Sequence, residues 1–155
     1  MIIRSVALNN IRSYAEHKIR FPDGSTLLSG DIGSGKTSVL LAIEFALFGL
    51  QPGQKGNSLL KNGEKEGSVI LEFEVDEKKF IVERNLKRGK SISQEKCSIS
   101  CDGDKQDLSP TELKNKILQI ISYPPEFSKK QNILYKFTVY TPQEEMKQIM
   151  LEDPD

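Results

Sequence analysis

Residues Gly30 to Ser38 read "GDIGSGKTS", and the reading of this stretch decides the fold. Gly30, Gly35, Lys36 and Thr37 satisfy the pattern G-x-x-x-x-G-K-[ST], the phosphate-binding P-loop. Glycine makes up about 7% of an average chain, so a chance match in a chain of this length is on the order of one per cent. The surroundings agree with the motif. The apolar "TLLSG" (26–30) reads as a buried strand feeding the loop, and a helical pattern leaves it. Gly30, Gly33 and Gly35 let backbone N–H groups converge on an anion without Cβ obstruction. A helix beginning near Lys36 adds its positive end. Lys36 reaches the β- and γ-phosphates, and the Thr37 hydroxyl ligates Mg²⁺. Ser34 and Ser38 add hydroxyls to the same loop. A glycine-rich surface turn with a solvated lysine would explain the glycines but neither the flanking strand nor the helix.

The helix is marked by Val39, Leu40, Ile43, Ala46, Leu47 and Leu50 at helical spacing, with Gly49 as its stop. Leu41, Phe45 and Phe48 make the other face apolar, so burial is expected nearly all round. Upstream, "IIRSVALNNI" and "HKIRF" read as strands, with Ile3, Val6 and Leu8 as core candidates. Downstream, Gln51–Gly67 is polar and reads as a loop. "SVILEFEV" and "KKFIVERNL" alternate and are joined by "DEK", with "LKRGKSISQ" as the connection to "KCSISCDG". This predicts an antiparallel β-subsheet over about 68–102. "SPTELKNKILQIIS" opens with Ser109 as cap, Pro110 in the first turn and Glu112 three residues after the cap; its apolar side is Ile117, Leu118, Ile120 and Ile121. "TPQEEMKQIML" repeats the device at Thr141, Pro142 and Glu144. The fold class is therefore α/β: a P-loop NTPase lobe, with a mixed sheet around a central helix plus the antiparallel subsheet.

Composition narrows the partners. The 155 residues suffice for one domain with a sizeable core, and 22 basic residues balance 22 acidic ones. No global field draws the chain to nucleic acid or membrane. No apolar run approaches the ~20 residues of a membrane span, and "MIIRSVALNN" lacks the pattern of a secretion signal. A cytoplasmic location is the default expectation. Cys97 and Cys101 on one strand face would lie roughly 13 Å apart at ~3.3 Å per residue, too far to pair. His17, the single histidine, sits in a polar stretch with no partner to make it catalytic or zinc-binding.

Hydrolysis also requires carboxylates that position Mg²⁺ and activate water, usually after a strand of four apolar residues. Only "VILEFE" and "FIVERN" come near that pattern, and their Glu72, Glu74 and Glu83 belong to alternating strands with a solvated face. No catalytic residue is assigned in this chain. It reads as half of an active site, and "EDPD" at its end shows no domain boundary.

Four pieces together resemble the SMC-like branch of the ABC ATPases, within it the amino-terminal lobe of the DNA double-strand-break repair ATPase that partners the Mre-type nuclease. "LNNIRSY" is similar to that family's Asn-Phe-Arg-Ser-aromatic segment, "GDIGSGKTS" to its phosphate loop, "VLLAIEFALFG" to the helix that follows, and "FTVYTPQEEMKQIM" to its Q-loop segment. The resemblance spans 1–155 and divides it into the phosphate loop (30–38), the antiparallel region (about 68–102) and a helical and Q-loop region (about 109–151). It implies that Arg12 and Ser13 reach the nucleotide phosphates and that Gln143 senses Mg²⁺ and the γ-phosphate. Thr37 and Gln143 are then the metal ligands, with ATP and Mg²⁺ as cofactors. It implies further a carboxyl-terminal ATPase lobe beyond a coiled coil, supplying the Walker B carboxylates. With it come a homodimer closed on ATP, a Mre-type nuclease partner, double-stranded DNA and a nucleoid-associated cytoplasmic location, with no membrane. The chain departs from the family at Ile32, where asparagine is usual, and at Ile11, Leu41 and Glu144. Asp31 brings a carboxylate near the phosphates that weakens binding unless it points away.

The basic runs "LKRGK" (Lys87, Arg88, Lys90) and "SKKQN" (Lys129, Lys130) read first as solvated loop charge, with phosphate neutralisation on DNA as the alternative. Other functions compatible with the P-loop are a chromosome-organising or RecF-like ATPase head, a stand-alone kinase and a transporter lobe. A kinase would need a lid arginine cluster and an acceptor pocket, neither visible after Gln51. A transporter lobe usually carries an upstream aromatic to stack adenine.

Overall fold

The computed structural model describes residues 1–50 and 56–123, and Met1–Ser122 forms one compact unit. Six strands and two α-helices build it: β1 (Ile2–Ile11), β2 (Tyr14–Arg20), α1 (Lys36–Phe48), β3 (Glu66–Val75), β4 (Lys78–Arg88), β5 (Ile92–Cys101), β6 (Asp104–Leu108) and α2 (Pro110–Ile120). The strands form a single sheet in the order β2-β1-β3-β4-β5-β6, antiparallel at every pairing.

Alternation explains the layering. Val6 and Leu8 of β1, Val69, Leu71 and Phe73 of β3, Val82 and Leu86 of β4 and Ile99 of β5 all point to one face and are buried. Phe73 and Phe80, register partners, stack there with centroids 5.5 Å apart. The helix α1 lies on this face against β1, β3 and β4, with α2 beside it. From Ala42 to Phe48 every residue of α1 is buried, as its two-sided apolar pattern predicts; near its start Lys36, Thr37, Leu40 and Leu41 are open. The opposite sheet face is open, with Ile70 and Ile81 exposed among polar residues.

Several expectations change. The stretch "TLLSG" is not a strand: residues 25–30 have no regular structure, and Leu27 is 88% exposed. A strand persists only where a neighbour satisfies its N–H and C=O groups, and no described strand runs beside it. The described sheet is therefore antiparallel throughout rather than mixed, while the α/β P-loop class stands. Next, β4 and β5 are longer than expected, leaving only residues 89–91 between them. Finally, β6 was not anticipated. Its polar "DKQDL" has no apolar alternation, but Asp102 and Gly103 before it have φ of 47° and 102°, the left-handed pair of a tight hairpin turn. Within 51–67, Leu59 and Leu60 are buried and Leu60 bridges Ile11, so that part is anchored rather than a free loop.

Candidate functional site

The site grows from two turns brought together by the β1–α1 packing. One is the two-residue turn between β1 and β2, where Arg12 has a left-handed φ of 52° and presents its side chain outward. The Arg12 N–H donates to the Leu59 carbonyl at 2.8 Å, and its guanidinium donates to the Ser58 carbonyl at 3.1 Å. The other is the loop from Gly30 to Gly35, which enters α1. Gly35 is the N-cap, with φ 96°, a conformation that needs glycine.

The start of α1 is open in a way that α2 is not. No side chain caps α1 and no acidic residue sits in its first turn. By contrast, α2 is closed on itself: Ser109 accepts from the Glu112 N–H, and the Glu112 carboxylate accepts from the Ser109 N–H at 2.9 Å. An uncapped helix start leaves N–H donors aimed outward and a positive partial charge, a ready anion site. Lys36 adds a full charge. Its ammonium donates to the carbonyls of Gly30 (2.6 Å) and Asp31 (2.8 Å) and to Ser34 Oγ (3.2 Å), so the loop folds around its own cation.

Around these groups lies a cavity of about 630 Å³. Arg12, Ser13, Gly33, Ser34, Gly35, Lys36, Thr37 and Ser38 line it, so eight of the ten residues singled out from the sequence converge there. Gly30 stands behind the lining and contributes its carbonyl to Lys36. Gln143 lies outside the described residues. The cavity also has a wall that the sequence reading missed, made by Asn57, Ser58, Leu60 and Asn62. The buried pair Leu59–Leu60 inside a polar stretch was the available signal. Neither Asp31 nor Ile32 lines the cavity, and Ile32 is fully exposed at the loop apex.

A triphosphate fits this donor set, which offers backbone N–H groups, hydroxyls and two cations, with no carboxylate among the described lining residues. For Mg²⁺ the described lining offers the Thr37 hydroxyl, and no group of three or more His, Cys, Asp or Glu among the described residues could hold a metal alone. The ion is thus suited to arrive with phosphate oxygens.

The acidic candidates are engaged elsewhere. Glu72 accepts from Ser5 Oγ at 3.0 Å, Glu74 pairs with Arg4 at 2.7 Å and Glu83 with Lys105 at 3.3 Å, all on the open sheet face. The Arg4 guanidinium holds the Glu74 carboxyl below its ordinary range. Among the basic runs, Arg88 donates to the carbonyls of Glu64 (2.8 Å) and Lys61 (3.3 Å), and Lys87 pairs with Glu95 at 3.4 Å. Arg88 is structural; Lys129 and Lys130 lie outside the described residues. Both cysteines are free, as expected. His17 is exposed, as expected, but it has a neighbour, stacking on Tyr14 at 5.4 Å. Among the described residues, no helix is long and apolar enough to cross a membrane.

Residues 5–155 match a sequence family described as an AAA domain. Among curated relatives, the DNA double-strand break repair Rad50 ATPase of Sulfolobus acidocaldarius is 27% identical over 98% of this chain. That of Methanococcus maripaludis is 30% identical over 99% of it. The chain spans only 17% and 14% of those two proteins. Among solved structures it resembles the recombination mediator protein RecF (TM-score 0.57, 24% identity, 72% of this chain and 29% of that one). It also resembles the SMC head domain from Thermotoga maritima (TM-score 0.52, 22% identity, 75% and 42%). At these identities the structural likeness concerns the fold alone.

Proposed function

The chain belongs to the AAA domain family, and from that premise we propose that it is the nucleotide-binding lobe of a DNA double-strand-break repair ATPase. It binds Mg·ATP through the loop 30–38, with Arg12 and Ser13 at the phosphates and Thr37, joined by Gln143, at Mg²⁺. The observation that carries this is the convergence of Arg12, Lys36 and the uncapped start of α1 on one cavity with no carboxylate among the described residues of its wall. Such a site holds a polyanion and does not by itself activate water. Hydrolysis, on this reading, uses carboxylates from a carboxyl-terminal lobe. ATP then closes a homodimer that acts on double-stranded DNA and regulates a Mre-type nuclease. Support comes from the relatives named as Rad50 ATPases over nearly the whole chain.

The fold likeness to RecF and to an SMC head supports a second reading, another head of the SMC-like group. It shares the nucleotide chemistry and differs in partners.

The test is titration of fluorescent ATP into the chain with and without Mg²⁺, followed by ATPase assay alone and with an added carboxyl-terminal lobe. Saturable binding and turnover only in the mixture are expected. Absence of binding ends the nucleotide reading, and brisk turnover by the chain alone ends the half-site reading. Pull-down of a Mre-type nuclease by the assembled protein separates the two partner assignments.

A further inference from the structure

The aromatic that follows Arg12 and Ser13 is outside the cavity lining, yet it touches the most constrained point of the loop. A Cβ placed on Gly35 would lie 2.7 Å from the Tyr14 hydroxyl and 2.9 Å from two of its ring carbons. Real Cβ atoms do not approach so closely, so the Tyr14 ring occupies the space that only a glycine leaves. Tyr14 is half-buried, pairs with Ile11 across the turn and is stacked on His17 at an interplanar angle of 18°. One turn therefore puts Arg12 and Ser13 in the cavity lining and Tyr14 against Gly35.

Gly35 needs such support. As N-cap of α1 it has no side-chain hydrogen bond, and glycine is the residue with the most backbone freedom to lose. The N–H groups that follow it are the ones an anion would use. Holding them converged before a ligand arrives removes an ordering cost from binding.

We propose that Tyr14 is a positioning residue for phosphate binding, its ring buttressing Gly35 so that the loop stays formed when empty. This rests on the nucleotide-binding reading, since it assigns a role within that site. Tyr14 acts through the loop and not on the base, so its removal weakens every ligand that carries the triphosphate group alike.

Substitutions at Tyr14 and His17 test it. In the protein without ligand, Tyr14→Ala is expected to raise backbone amide mobility and hydrogen exchange at residues 33–37, while Tyr14→Phe, which keeps the ring, leaves them unchanged. In ligand titrations, Tyr14→Ala is expected to weaken Mg·ATP and inorganic tripolyphosphate by about 10-fold each, and Tyr14→Phe by less than about 2-fold. His17→Ala, which leaves the ring unstacked, falls between. Thermal unfolding of each variant shows whether the fold survives; Tyr14→Leu replaces Tyr14→Ala where it does not. Unchanged loop dynamics and unchanged affinity in Tyr14→Ala overturn the proposal. A loss for ATP without a loss for tripolyphosphate also overturns it, since that marks base stacking. Should the parent chain bind neither ligand while Tyr14→Ala still loosens the loop, the nucleotide reading fails and the buttress stands.

Discussion

Lys36 shows what a single residue does in this site before any ligand is present. Its ammonium donates to two carbonyls and a hydroxyl of its own loop, which hold it in place across the turn. A phosphate must draw the ammonium away from those acceptors, and charge-assisted bonds to phosphate oxygens are strong enough to do so. Lys36→Ala is expected to lower Mg·ATP affinity by on the order of 100-fold, a loss of about 3 kcal/mol from charged hydrogen bonds. Its thermal midpoint should stay close to that of the parent, because these contacts are at the surface. Calorimetric titration and thermal melting check the two halves. At this scale the sequence was informative where a residue type has one use. Gly35, Lys36 and Thr37 could be placed because P-loop chemistry demands them at fixed spacing. Asn57 and Asn62 could not, because an asparagine in a polar stretch looks the same on a wall as in solvent.

At the scale of the element, α1 and α2 are secured by different means. The C-terminal end of α1 is held by Arg84, fully buried on β4, which donates to the carbonyls of Ala46 (2.8 Å) and Leu47 (3.3 Å) and to Gln94 Oε1 (3.2 Å). Burial lowers the pKa of this guanidinium and raises that of the Cys97 thiol 4.0 Å away, each opposed in part by the other. A cation at a helix C-terminus is favourable, and this one replaces the missing hydrogen-bond partners of the last turn. Arg84→Met leaves those carbonyls unpaired and is expected to cost on the order of 3 kcal/mol, read by urea denaturation. The capping box of α2 responds to acid. Bonds from the Ser109 side chain and backbone hold the Glu112 carboxyl below its ordinary 4.5. A carboxyl whose pKa is depressed on folding stabilises above its unfolded value and loses that contribution as pH falls through the folded one. Stability should therefore decline from about pH 4.5 downward, and Glu112→Gln should flatten part of that decline in acid titrations followed by circular dichroism. The remainder includes Glu74, lowered by Arg4. Both helices were legible because caps, stops and apolar spacing are local signals. The role of Arg84 was not, since nothing in "FIVERN" distinguishes an inward arginine from a solvated one except its place on the buried phase of the strand.

Across the whole molecule, the hairpins from β3 to β5 were readable, because alternation and turn residues specify neighbours in sequence. The pairing of β1 with β3 was not. It joins segments separated by the entire phosphate loop and α1, and no local pattern encodes it. The misreading of "TLLSG" has the same origin: apolar residues fit a buried strand, but a strand is defined by what lies beside it. Eight of the nine P-loop positions, all but Ile32, line or brace the cavity, so the chemistry was more legible than the sheet that presents it.

The long-range β1–β3 pairing also fixes an order of assembly. The strands β3 to β6 meet their neighbours through short turns, whereas β1 closes only after a large loop has been ordered. Refolding should therefore nucleate in the β3–β6 meander, with β1 and α1 docking afterwards. Val82→Ala is expected to slow refolding, and Val6→Ala chiefly to speed unfolding, as stopped-flow kinetics would report. The nucleotide cavity exists only once the Arg12 turn and the α1 loop have come together. A bound nucleotide should then lengthen the lifetime of the folded chain without hastening its formation, acting as a brake on unfolding.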